Sequence, residues 1–247
     1  MHITRLILPA FIALILALPA RVSAQALWTG GHGDIGVGYE NEGSGFELHP
    51  HWHIEGGTVD GIPRVDEEFD AADLNLVVPN IANTLVTRNA DPSWNPIGVG
   101  AGETFWRLST VSQAGVPYLG WATEELVVTD WDGEITFALA GLTGPGDISV
   151  YYFPDGDLTF LWASFGGITG ADAFSLAPGV HAHFNVAFST PGLYEVGITV
   201  SGTHINDGFQ TATQTFGFNV IPEPSSMLLL ALLGGGFLLL VRRWRRA

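Results

Sequence analysis

Seven of the eight histidines lie between residues 27 and 221, and six of those seven fall in three tight groups. The groups are His32 with Asp34, then His49, His51 and His53, then His181 with His183. Along an extended strand side chains alternate, so residues i and i+2 share a face about 7 Å apart. Each group therefore presents its donors on one side of a strand. Imidazole and carboxylate suit Zn²⁺ or Cu²⁺, and a chain with no cysteine has no thiolate to offer instead. His32, Asp34, His49, His51, His53, His181 and His183 are thus the candidate metal ligands. We expect His32 and Asp34 to meet His181 and His183, joined by one or more of His49, His51 and His53. Neutral imidazole is the binding form, so affinity should fall as pH drops through about 6.5. Two plainer readings compete: histidines that only hydrogen-bond within the structure, and histidines scattered over the surface. The segment His49-Pro50-His51-Trp52-His53 also reads as an irregular loop, because proline removes a ladder donor.

Other chemistry is thinner. Asp130, Asp132 and Glu134, or Asp155 and Asp157, resemble fragments of calcium loops, but hairpin turns explain them better, so Ca²⁺ ranks below Zn²⁺ and Cu²⁺. Glu124-Glu125 is a carboxylate pair, yet neighbours on a strand point to opposite faces, which argues against acid–base cooperation. Gly31-His32-Gly33-Asp34-Ile35-Gly36 fits the spacing of a dinucleotide loop but opens a strand. No nucleophile elbow, zincin helix or P-loop occurs, so no catalytic residue is assigned. Seven of the eight tryptophans lie in the same region; most should be core, and the rest offer sugar-stacking platforms.

The elements that carry these groups read as strands. Between residues 27 and 221 there is no long stretch of helical period; short apolar–polar alternations are punctuated by glycine, proline and Asp-Gly. Ile35, Val37 and Tyr39 share a face; so do Ile135, Phe137 and Leu139, then Ile148, Val150 and Tyr152, then Leu158, Phe160 and Trp162. Tyr194, Val196, Ile198 and Val200 make the clearest strand. Asp132-Gly133 and Asp155-Gly156 read as hairpin turns. The pattern predicts an all-β fold, an antiparallel β-sandwich of jelly-roll or immunoglobulin-like type. Residues 60–96 look irregular, a long excursion with one short helix or strand.

Charge divides the chain in three. The total is −16, and all nine positive charges are arginine. Residues 27–221 hold three arginines against 24 acids, a balance of −21. Nucleic acid is excluded as a partner, since phosphate binding needs clustered basic residues. Residues 1–26 read as a signal peptide: Arg5, an apolar stretch from Leu6 to Ala20, then small residues. Residues 222–247 begin with Pro222-Glu223-Pro224, continue through an apolar run from Met227 to Val241, and end in Arg242, Arg243, Arg245 and Arg246. Fifteen residues of helix reach about 22 Å, a short single transmembrane span once the arginines snorkel, with the arginines cytoplasmic.

These three parts in order resemble the PEP-CTERM sorting tail. The resemblance implies a Gram-negative exporter of extracellular polysaccharide, with signal peptidase and an exosortase as processing partners. It also implies a transient membrane intermediate, cleavage near Pro222, Glu223 and Pro224, and release to the cell surface or the polysaccharide matrix. The body, residues 27–221, is similar over most of residues 27–205 to the choice-of-anchor M surface domain. The residues that carry the likeness are Gly31-His32-Gly33-Asp34-Ile35, Phe105-Trp106-Arg107-Leu108, Tyr118-Leu119-Gly120-Trp121, His181-Ala182-His183-Phe184-Asn185 and Pro191-Gly192-Leu193-Tyr194. Some members of that family occur beside metal-uptake transporters, which implies a metal role. The expected function is a non-enzymatic surface or matrix protein that binds a divalent metal. The alternative is a secreted polysaccharide hydrolase or carbohydrate-binding module.

Overall fold

The computed structural model describes residues 25–41 and 45–222. Of the expected signal peptide only Gln25 and Ala26 are described, Ala26 opening the first strand, and the expected sorting tail beyond Pro222 lies outside the described residues. Among the described residues no helix is long and apolar enough to cross a membrane.

Sixteen strands take 57% of the described residues and 3₁₀ turns 6%. They are β1 (Ala26–Asn41), β2 (Phe46–Val59), β3 (Ile62–Arg64), β4 (Glu67–Asp70), β5 (Leu74–Val78) and β6 (Leu85–Thr87). Next come β7 (Thr104–Leu108), β8 (Pro117–Ala122), β9 (Ile135–Thr143), β10 (Ile148–Tyr152) and β11 (Thr159–Ala163). The last are β12 (Ala173–Leu176), β13 (His181–Ala182), β14 (Asn185–Phe188), β15 (Gly192–His204) and β16 (Gly208–Val220).

The strands form two sheets. Eleven make the large sheet, in the order β12-β9-β15-β16-β5-β1-β2-β3, with β8 beside β1, β13 beside β8 and β4 beside β2. Five make the small sheet, β11-β10-β14-β7-β6. The core lies between them. Trp28, Trp52, Trp121, Phe137, Tyr194, Val196, Ile198, Val200 and Phe216 come from the large sheet, and Val150, Trp162, Val186 and Phe188 from the small one. Side chains of this size contribute about 1.5–3 kcal/mol each when fully buried. A second apolar cluster covers the outside of the small sheet, where Ile97 of the 3₁₀ turn Pro92–Ile97 packs on Phe105 and Tyr151.

An all-β sandwich is what the alternation predicted, with four corrections. The large sheet is mixed, because β1 runs parallel to β5 and β8, and β16 runs parallel to β5. Trp162 does not share a face with Leu158 and Phe160. A bulge opposite Val150 and Tyr151 shifts the register by one, so Trp162 enters the core while Phe160 joins the outer cluster. Residues 60–96 hold four short strands as well as most of a 3₁₀ turn; Asp60-Gly61 is a tight two-residue hairpin, both residues at positive φ, pairing Val59 with Ile62. Asp155-Gly156 lies in the β10–β11 hairpin, but Asp132-Gly133 follows a 3₁₀ turn and joins no hairpin.

Candidate metal centre

Strand β1 is the hinge of the site. Ile35 and Val37 face the core, so Asp34 faces outward from the sandwich. The parallel strand β8 sets Gly120 beside Asp34 and Tyr118 beside His32. On the other edge of β8, β13 pairs His181 with Ala122. Two non-local pairings therefore carry His181 and His183 across to His32 and Asp34, residues nearly 150 positions earlier in the chain. The register shift between His32 and Asp34 is a bulge on β2, where Ile54 and Glu55 oppose Gly33, so β1 keeps its alternation and His32 and Asp34 point the same way.

Gly120 makes the convergence sterically feasible. A Cβ there would lie on Asp34 Oδ1, 2.6 Å from His181 Nε2 and 3.0 Å from His183 Cε1. The hole left by the missing side chain is where the donor atoms meet. His181 Nε2 is 3.3 Å from Asp34 Oδ1, His32 Nε2 is 3.6 Å from the same oxygen, and His181 Nε2 is 2.9 Å from His183 Nε2. Donors about 2.0–2.1 Å from a tetrahedral Zn²⁺ stand about 3.3 Å from one another. One nitrogen from each of His32, His181 and His183 lies within 4.8 Å of the other two.

The far nitrogens are held. His183 Nδ1 lies 2.8 Å from Leu119 O, and a carbonyl only accepts, so Nδ1 carries the proton and Nε2 presents its lone pair. Glu55 Oε2 does the same for His32 Nδ1 at 2.7 Å, and Glu124 Oε2 stands 3.4 Å from His181 Nδ1. Carbonyl or carboxylate behind each imidazole is the second layer that metal-binding histidines use. Tyr118 stacks on His183 with ring centroids 3.8 Å apart, and His32 stacks on His181 at 5.0 Å.

Asp34 is fully buried, and neither of its oxygens makes a hydrogen bond; His32 Nε2 is likewise buried and unpaired. A buried carboxylate without partners is unfavourable unless it is neutral or meets a cation. Burial, with Glu55 and Glu124 nearby, pushes the Asp34 carboxyl up to about 8. Burial also holds His32 and His183 below the usual histidine range, so both rings are neutral near pH 7. With its value raised to about 8 the Asp34 carboxyl favours the protonated form near pH 7, and a divalent cation in place of that proton would leave it ionised.

His49, His51 and His53 do share one face of β2, which is a strand and not a loop, but they do not join this centre. The register sets His53 beside Asp34, His51 beside Gly36 and His49 beside Gly38. Their contacts are elsewhere: His51 with Glu125 at 3.1 Å, His53 with Asp66 at 3.0 Å and His49 with Asp70 at 3.8 Å. The expected single meeting is thus two groups side by side. Nor are all the donors on open polar faces, since His51 is as fully buried as Asp34. For His51 burial works downward, but Glu125 outweighs it and lifts the ring above its usual value. Burial works upward on Glu125, and His51, His53 and His49 outweigh it, holding the carboxyl low.

Sequence reasoning passed over Glu55, Gly120, Glu124 and Glu125. Glu124-Glu125 was discounted as a strand pair; β8 ends at Ala122, and the two acids sit in the following turn, one reaching each histidine group. That turn was visible as a break in alternation after Ala122. The calcium-loop fragments at residues 130–134 and 155–157 enter no metal-capable group among the described residues. His204 stands apart, 2.8 Å from Asp207 Oδ2 and packed on Tyr39 and Trp131. No protein-family model, curated protein or solved structure significantly matches this chain.

Proposed function

We propose that this chain is an exported, non-enzymatic surface or matrix protein whose β-sandwich binds one Zn²⁺ through His32, Asp34, His181 and His183. The observation that carries the reading is the meeting of three backed imidazoles with a fully buried, unpaired carboxylate. His32 and His181 belong to both sets of mutually close donors, one completed by Asp34 and Glu55 and the other by His183, so an ion that draws Asp34 and His183 together has a tetrahedral shell, as in sites that store, carry or are braced by zinc; catalytic zinc keeps one position open. Imidazole and carboxylate donors suit Zn²⁺, and any such N/O set also binds Cu²⁺ tightly. The −21 balance of residues 27–221 raises local cation concentration at low salt.

Export and release rest on the two ends of the sequence: a signal peptide for signal peptidase, and a PEP-CTERM tail for an exosortase. The destination is the cell surface or the polysaccharide matrix. Elemental analysis and zinc calorimetry on the purified protein test the metal half; absence of zinc binding in the low micromolar range or better rejects it. Intact mass of the exported protein tests the other half, and a mature species that still carries Arg242 to Arg246 counts against tail removal.

A carbohydrate-binding or polysaccharide-hydrolysing role has one observation in its favour. A cleft of about 310 Å³ is lined by Tyr39, Phe46 and Trp131 with Glu125, Asp130 and Asp207, a mixture of stacking rings and acids that suits sugars. Calorimetry with the producing strain's own polysaccharide separates this reading from the first.

A further inference from the structure

The second histidine group has the makings of a site in its own right. His51 is fully buried on β2, and its Nδ1 lies 2.9 Å from the backbone oxygen of His49. That carbonyl fixes the proton on Nδ1 and turns the Nε2 lone pair toward Glu125 Oε1, 3.1 Å away. The two atoms are not aligned for a hydrogen bond, and Nε2 is buried without any hydrogen-bond partner. Without a further proton two acceptors face each other, and the positive charge between them is either the proton that Glu125 favours on this ring or a metal ion that displaces it.

Further donors surround the same point. His53 Nδ1 is 3.7 Å from Glu125 Oε1, while Asp66 Oδ1 backs its Nε2 at 3.0 Å. Glu68 on β4 brings Oε2 to 4.0 Å from His51 Nε2. Room comes from the neighbouring strand: a Cβ at Gly36 would stand 3.0 Å from His51 Nε2 and 3.3 Å from Glu125 Oε1. The arrangement repeats the logic of the first centre, with imidazoles backed by a carbonyl or a carboxylate and a glycine opposite them.

We propose that His51, Glu68 and Glu125, with His53 beside them, form a second divalent-cation site, weaker than the first and adjacent to it. This rests on the reading of the first centre as a zinc site only for the order of affinity; its donors are separate. It is the weaker because Glu68 and Glu125 are partly exposed, so both must be ordered on binding, and because their two like charges repel. Glu124 and Glu125 make one turn serve both ions.

The test is zinc titration calorimetry with elemental analysis on the purified wild-type chain and two double variants. Wild type should bind two Zn²⁺ in separable steps. Glu68→Gln with Glu125→Gln should remove only the weaker step, leaving one ion. Both glutamates are partly exposed, so these changes spare the core that His51→Ala would disturb, and circular dichroism confirms the fold. His181→Ala with His183→Ala should remove only the tighter step. One ion in wild type, or two ions retained after both glutamates are changed, overturns the second site while leaving the first standing. Loss of the weaker step alone in the glutamate variant supports it, even if the tighter step resists the histidine substitutions and so counts against the first site.

Discussion

Asp34→Asn should stabilise the metal-free protein and abolish tight zinc binding, two effects of opposite sign from one atom. Metal-free, the folded protein holds the Asp34 proton up to about pH 8, whereas the unfolded chain releases it near 3.8. Between those values the native state binds more protons than the unfolded state, so stability falls as pH rises, by about 1.4 kcal/mol per pH unit. Above about pH 8 both states are ionised and the penalty is constant, on the order of 5 kcal/mol for a shift of this size. Asparagine keeps the shape and does not titrate. In chelator, urea unfolding of wild type and Asp34→Asn at pH 5, 6, 7 and 8 should therefore show the variant gaining on wild type by about 4 kcal/mol across the series. Saturating zinc should reverse the order at pH 5 and 6 and roughly cancel the variant's lead at pH 7, since ligand at 1,000 times its dissociation constant adds about 4 kcal/mol to whichever protein binds it. A stability difference that does not change with pH would refute the argument, because it would mean that Asp34 is ionised in the metal-free fold. Unchanged zinc affinity in Asp34→Asn would refute the ligand assignment.

Three further outcomes are expected. Zinc binding near pH 6.5 should release about one proton, from Asp34, and affinity should rise about tenfold per pH unit up to about 8 before levelling. Calorimetry in buffers of different ionisation enthalpy measures this, and a break at 6.5 instead would assign the proton to a histidine. Gly120→Ala should weaken zinc binding by about 10–100-fold and cost about 1–3 kcal/mol of stability, because the new methyl occupies the space where Asp34 and His181 meet; chemical denaturation and zinc titration check both numbers. His181→Ala with His183→Ala should eliminate tight binding and leave the circular dichroism unchanged, since both side chains are only part-buried and lie outside the sandwich core.

The sequence by itself determined the class of fold and the pool of donors. Period-two alternation such as Tyr194-Val196-Ile198-Val200 has only one use, a strand with one face buried, and all four of these residues are buried. The same period put His49, His51 and His53 on one face and His181 beside His183, because that relation is local to a strand. Which groups meet was not local. Parallel pairing of β1 with β8, and antiparallel pairing of β13 with the far edge of β8, decided that Asp34 faces His181 and His183 across Gly120. Trp121 of β8 packs with Trp162, Phe137 and Phe174 in the core, a fit among residues spread over more than fifty positions that no short window contains. The turn after β8 is a similar case: the sequence showed two adjacent acids, and only the end of the strand at Ala122 let one reach each histidine group. The bulge that put Phe160 outside and Trp162 inside has the same origin, since one extra residue reverses every face beyond it and the partner strand, not the alternation, chooses where it goes.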